Sequence, residues 1–173
     1  MADSSHPQCV VVIGASAGGL KALEDFFSAV LPDSKACFVV VQHLSPDHES
    51  NLLSLLREFS PVRITACRNN ATLKPSRIHV CPPGKVVRFR EGKFALKKRD
   101  DHEGRTMPID TTFTSLAEEY GKKAVAVILS GSGFDGTKGA ACVKKHGGHV
   151  FIQDPKEAEF ASMPENAAAH GAV

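Results

Sequence analysis

Val10-Val11-Val12-Ile13 is a run of four β-branched residues that stops abruptly at Gly14-Ala15-Ser16-Ala17-Gly18-Gly19. Four stiff side chains in succession favour an extended strand, and an apolar run without alternation requires burial on both faces, as in a parallel sheet. Leu20, Leu23, Phe27 and Val30 then recur at helical spacing, so the segment reads as strand, tight turn and helix. After a stop at Leu31-Pro32-Asp33, residues 36–41 form a second run of the same type. Residues 9–41 are therefore one βαβ unit with parallel strands and a right-handed crossover. Residues 124–129 make a third run, ending in Ser130-Gly131-Ser132-Gly133-Phe134-Asp135-Gly136, the same construction as the first turn.

The other segments keep this rhythm with one interruption. Ser45-Pro46-Asp47 opens a helix through Leu52, Leu53, Leu55 and Leu56 that stops at Ser60-Pro61. Short strands at 62–66 and 78–81 extend the sheet. Residues 86–90 and 93–97 alternate around Glu91-Gly92, the signal of a two-residue β-hairpin. Asp110 is positioned as the N-cap of a helix burying Phe113, Leu116 and Ala117 and closing at Tyr120-Gly121. A helix over 137–146, a last strand over 149–153 and a helix opened by Pro164 complete the chain. The expected fold class is α/β: a doubly wound, mostly parallel sheet with helices on both faces, Rossmann-like and three-layered, with an inserted β-hairpin. Residues 1–8 read as a disordered leader and 9–173 as one domain; the mixed-charge stretch 97–105 and His48 read as solvated.

With 173 residues and 42% hydrophobic content, the chain is long enough for one substantial core. A net charge of +2, no Trp and one Tyr give no sign of a nucleic-acid surface. Cys9, Cys37, Cys67, Cys81 and Cys142 are odd in number and contain no C-x-x-C pair, which argues against a disulfide framework or a zinc ribbon and for a reducing compartment. No apolar stretch reaches the ~20 residues of a membrane span, and the first residues lack a signal-peptide core. A cytoplasmic protein that does not insert into membranes is expected.

Ser16 sits in the turn where two chemistries are possible. Read as G-x-G-x-x-G, the turn has Ser16 in place of the glycine that lets backbone approach a pyrophosphate; read as G-x-S-x-G, residues 14–18 match throughout. A serine between strand and helix is also a common N-cap. The second run ends at Gln42-His43, with an imidazole where a dinucleotide site would carry an acidic residue. In a parallel sheet the ends bearing Ser16, His43 and Asp135 lie on one edge. Serine needs a base to become a nucleophile, imidazole suits that task, and an aspartate orients the imidazole. The amides of Ala17 and Ser132, in glycine-flanked turns, are candidate oxyanion donors. Taken alone, the segment 131–136 reads first as a glycine-rich turn with Asp135 as a helix cap or Asx turn, and alternatively as a phosphate cradle.

The motifs Ile13-Gly14-Ala15-Ser16-Ala17-Gly18-Gly19, Val41-Gln42-His43, Pro82-Pro83-Gly84, Leu129-Ser130-Gly131-Ser132-Gly133-Phe134-Asp135-Gly136 and Ser162-Met163-Pro164 stand in the order of a known family. Together they resemble the catalytic domain of the chemotaxis protein-glutamate methylesterase (CheB) over residues 9–173. The resemblance implies hydrolysis of γ-glutamyl methyl esters on the cytoplasmic helices of methyl-accepting chemoreceptors, with deamidation of receptor glutamines as a second activity and no cofactor or metal. By position it implies Ser16 as nucleophile, His43 as general base, Asp135 as its orienting partner, and Ala17 and Ser132 as backbone oxyanion donors. Ala17 stands where the family often has Thr, and Ser132 where it often has Met. Only eight residues precede the first strand, so regulation by receiver phosphorylation is not expected within this chain. The pattern is similar to methylesterase segments that begin fusions with a glutamate methyltransferase, so a chain excised from such a fusion is expected. The alternative is a noncatalytic interaction module of the same fold in a chemosensory protein; a nucleotide-binding module is a more distant third.

Overall fold

A computed structural model describes residues 6–42, 51–99 and 106–170. His43, the helix opening at Ser45-Pro46-Asp47, His48, residues 1–5 of the leader, residues 100–105 and residues 171–173 lie outside the described residues. The elements run β1 (Val10–Ala15), α1 (Gly19–Ser28), β2 (Cys37–Gln42), α2 (Leu52–Phe59), β3 (Arg63–Ala66), β4 (Arg77–Val80), β5 (Lys85–Arg90), β6 (Lys93–Lys98), α3 (Pro108–Tyr120), β7 (Ala124–Ile128), α4 (Thr137–Lys145), β8 (His149–Ile152) and α5 (Ser162–Ala169).

Six strands form one sheet in the order β3-β4-β2-β1-β7-β8, all neighbours parallel. The apolar runs take the centre, where both faces are covered. Val10, Val12, Val39, Val41 and Ile128 point to the face beneath α3, α4, α5 and the hairpin. Val11, Ile13, Val40 and Val127 point to the face beneath α1 and α2. Helices thus cover both faces of a doubly wound sheet, as the unalternated runs require. The fully buried Phe27, Leu23, Phe113 and Leu116 anchor those helices; each such side chain contributes about 1.5–3 kcal/mol through burial.

The chain leaves β1 towards β2 on one side and returns to pair β7 on the other. The β1/β7 boundary is therefore the switch point, where crevices open at the carboxyl edge of such sheets. Gly14 is needed just below it, because an added Cβ would lie 2.5 Å from Ile109 Cγ2 at the start of α3.

The inserted hairpin is present as read, with Glu91 (φ 53°) and Gly92 (φ 70°) turning the chain, the two left-handed residues of a twist-matched tight turn. Two expectations shift. Asp110 is not the N-cap of its own helix: α3 begins at Pro108, after Met107, and Asp110 is inside the first turn. Proline is well suited to a first helical position, where no amide partner is lost, so the start moves upstream. The last helix likewise opens at Ser162, with Pro164 in its first turn. Among the described residues no helix is long and apolar enough to cross a membrane.

Candidate active site

Ser16 directly follows β1 and is half-buried. Its N–H donates to Ser130 O at 3.0 Å, and its carbonyl accepts from Gly19 N at 3.0 Å. The left-handed residue of the turn is Gly18 (φ 65°), not the serine, so backbone strain is carried two residues after the hydroxyl instead of on it. Any side chain at Gly18 would meet Glu159 and Phe160 at 2.8–2.9 Å.

The turn after β7 is fastened to this one. Ser130, almost fully buried, donates its hydroxyl to Ala17 O at 2.9 Å and accepts from Phe160 N at 3.0 Å. Its own N–H donates to Gln153 Oε1 at 2.7 Å. Gly131 N donates to Phe160 O, Met163 N donates to Gly131 O, and Gly133 N donates to Ser162 Oγ, each at 3.0 Å. The Ser-Met-Pro segment of α5 therefore supports the β7 turn, and Ser130 joins three loops through one hydroxyl.

Asp135 is buried and accepts two backbone N–H groups from the first turn of α3: Ile109 N to Oδ2 at 3.1 Å and Asp110 N to Oδ1 at 2.8 Å. It is thus a helix cap, but for α3 and not for the helix that follows it. Those amides satisfy donors a helix leaves open and favour negative charge. Burial opposes them, pushing the carboxyl up from 3.8 to about 6, and the nearby Asp110 carboxylate adds to the rise. Asp110 is itself raised, by burial first, although Gly139 N–H and Lys138 pull the other way.

Ser16 and Asp135 line the same cavity of about 120 Å³, together with Ser132, Phe134, Met107 and Met163. Among the described residues, Ser16 Oγ and the amides of Ala17 and Ser132 have no hydrogen-bond partner. Gln42, the last described residue of β2, is paired with Ala15; His43 follows it. A larger cavity of about 590 Å³, between α1 and the β7–β8 side of the sheet, includes neither Ser16 nor Asp135. His79 belongs to the core: its Nδ1 faces Thr65 Oγ1 at 3.2 Å, its ring lies 4.8 Å from Phe94, and burial lowers it to about 4. Among the described residues no group of three His, Cys, Asp or Glu could hold a metal.

Ser130, Met107 and Gln153 are site-supporting residues that the sequence did not single out, and Asp110, read from sequence as a cap of its own helix, supports the site by capping α4 instead. Of the first three only Ser130 had a local signal, as the first hydroxyl of the Ser-Gly-Ser-Gly turn.

Fold and site together define a doubly wound α/β domain with a serine turn and a helix-fastened aspartate at its switch point. A model of the CheB methylesterase family matches residues 11–173, and the chain belongs to that family. It is 31% identical over 177 residues to protein-glutamate methylesterase/protein-glutamine glutaminase 1 of Myxococcus xanthus, covering 100% of this chain and 51% of that protein. The Thermotoga maritima protein-glutamate methylesterase/protein-glutamine glutaminase is 32% identical over 166 residues, covering 94% of this chain and 48% of that one. The chain thus spans about half the length of these curated relatives. The crystal structure of the Thermotoga maritima CheB methylesterase catalytic domain superposes with a TM-score of 0.87 at 31% identity, covering 95% of this chain and 89% of that one.

Proposed function

We propose that this domain is a protein-glutamate methylesterase that hydrolyses γ-glutamyl methyl esters, and deamidates glutamines, on cytoplasmic segments of methyl-accepting chemoreceptors. The observation that carries it is the shared cavity of Ser16 and Asp135 at the switch point, in a member of the CheB methylesterase family. In this reading His43 takes the Ser16 proton as Oγ attacks the ester carbonyl. The tetrahedral oxyanion is met by the amides of Ala17 and Ser132. Collapse expels methanol, which receives the proton from the imidazolium, and water then releases glutamate by the same route in reverse. Asp135, held by two α3 amides, orients and stabilises the imidazolium. Because the oxyanion donors are backbone groups, Ala17 and Ser132 serve whatever their side chains.

The test is methanol release from a methylated chemoreceptor fragment and from N-acetyl-glutamate γ-methyl ester. Ser16→Ala and His43→Ala should each lower turnover by about 10³-fold or more. A wild-type domain without turnover, or variants as active as wild type, overturns the reading. In that event the noncatalytic module stands, and stable binding of the fragment unaffected by Ser16→Ala would identify it.

A further inference from the structure

The β5–β6 hairpin is strongly basic. Residues 85–98 contain six Lys or Arg and one Glu, a net +5 within a chain whose total is +2, so the rest is net −3. Cross-strand register puts Phe89 opposite Phe94 and Val87 opposite Leu96 on the face that packs on the core. The other face carries Arg88, Arg90, Lys93 and Lys97, all exposed. Arg90 is directly opposite Lys93, and Lys85 opposite Lys98. Like charges directly opposed destabilise a hairpin, so folding alone does not account for them. Among the described residues the carboxylate paired with this face is Glu91, 3.6 Å from Arg90, with both side chains about four-fifths exposed; such a pair neutralises little in water.

The hairpin also has a fixed bearing on the cavity. Val87 O accepts from Thr112 Oγ1, in the first turns of α3 near the amides that hold Asp135, while Gly92 at the tip donates to Glu119 near the far end of that helix. The cationic face therefore runs along α3, from the cavity side outward, over a strand length of roughly 20 Å.

We propose that the outward face of the hairpin docks an acidic stretch of the protein substrate, the glutamates that flank the ester being hydrolysed. This rests on the esterase reading, because each turnover leaves a glutamate on the substrate and makes its surface more acidic. Charge complementarity of this kind raises encounter rates and is weakened by salt.

Docking is read without turnover by the anisotropy of fluorescein-labelled polyglutamate titrated with the Ser16→Ala protein. Adding Arg88→Glu, Arg90→Glu and Lys93→Glu should weaken binding at least tenfold at low salt and flatten its salt dependence. The charge-matched set Lys122→Glu, Lys123→Glu and Lys144→Glu, off the hairpin, should change it less than twofold. With Ser16 restored, the hairpin reversal should lower kcat/KM on half-esterified polyglutamate at least tenfold at unchanged kcat. Hydrolysis of N-acetyl-glutamate γ-methyl ester should be unaffected, which also reports an intact fold. Equal losses in both sets, or no loss in the hairpin set, overturn the docking surface. Failure of the wild type on the small ester overturns the esterase reading instead, and the binding arm still decides the docking.

Discussion

Asp135 caps the helix that carries Asp110, and Asp110 caps the helix that follows Asp135. Asp110 gives its backbone N–H to Asp135 Oδ1 at 2.8 Å, and its own carboxylate accepts the N–H of Gly139, four residues past Asp135, at 2.7 Å. Asp135 thus closes the N-terminus of α3, which carries Asp110, and Asp110 closes that of α4, which begins two residues after Asp135, so α3 and α4 start in a mutually fixed position. Two carboxylates share one buried region, and Asp110 raises the cost of ionising Asp135.

Replacing one charge therefore changes the other residue's titration. Asp110→Asn keeps an oxygen for Gly139 and removes the repulsion that helps raise Asp135. The Asp135 carboxyl should then ionise at lower pH, and the acid limb of kcat/KM should move down, with relatively more activity between pH about 5 and 6. An acid limb that stays in place or moves up would show that Asp110 acts only as a cap.

Stability should carry the same signature with an unusual sign. Asp135 is raised from 3.8 to about 6 in the folded protein, so between those values the folded state holds a proton that the unfolded chain has lost. The associated stabilisation is complete below pH ~4 and is lost as pH rises through about 6, opposite to the usual salt-bridged carboxylate; the shift corresponds to about 3 kcal/mol. Urea unfolding of the wild type and Asp135→Asn across pH 4–7 measures it: the wild type should lose stability over this window relative to the variant. Parallel curves would place the carboxyl at its ordinary value.

The parallel sheet was legible because each central strand is an uninterrupted apolar run, which only two-sided burial satisfies, and the hairpin because Glu91-Gly92 separates alternating strands. The serine turn was legible as a small-residue break after such a run. The exchange of caps was not. A sequence shows that Asp110 and Asp135 stand near helix starts, and local spacing assigns each to its own helix. Long-range packing of α3 against α4 decides otherwise. Ser130 was obscured for the same reason: its partners Ala17 and Phe160 are 113 and 30 residues away.

Two glycine substitutions should separate structure from activity. At Gly139 an added Cβ would meet Phe113 Cβ at 2.5 Å and Asp110 O at 2.8 Å. Gly139→Ala should therefore destabilise by about 1–3 kcal/mol, although alanine within a helix ordinarily gains about 1 kcal/mol. At Gly131 the Cβ would meet the flexible end of Met163 at 2.7 Å and Ser16 Cβ at 2.9 Å. Met163 can yield while the serine turn cannot, so Gly131→Ala should lose turnover at least tenfold with a smaller fall in Tm. Thermal melts with methanol-release assays test the pair; the reverse ranking would mean that Gly131 supports only the fold.

Ser130→Ala tests whether one hydroxyl registers the two turns. The substitution leaves Phe160 N–H without its acceptor and Ala17 O without its donor in a partly buried contact, a cost of about 1 kcal/mol. Because Ala17 is the residue whose amide meets the oxyanion in the proposed reaction, the kinetic loss should fall on kcat at nearly constant KM. Hydrogen exchange should report faster loss of protection at Phe160 N–H, while amides of β2 and β4 keep theirs. A stability loss with kcat preserved would show that the link between the turns holds the fold but does not position the oxyanion site.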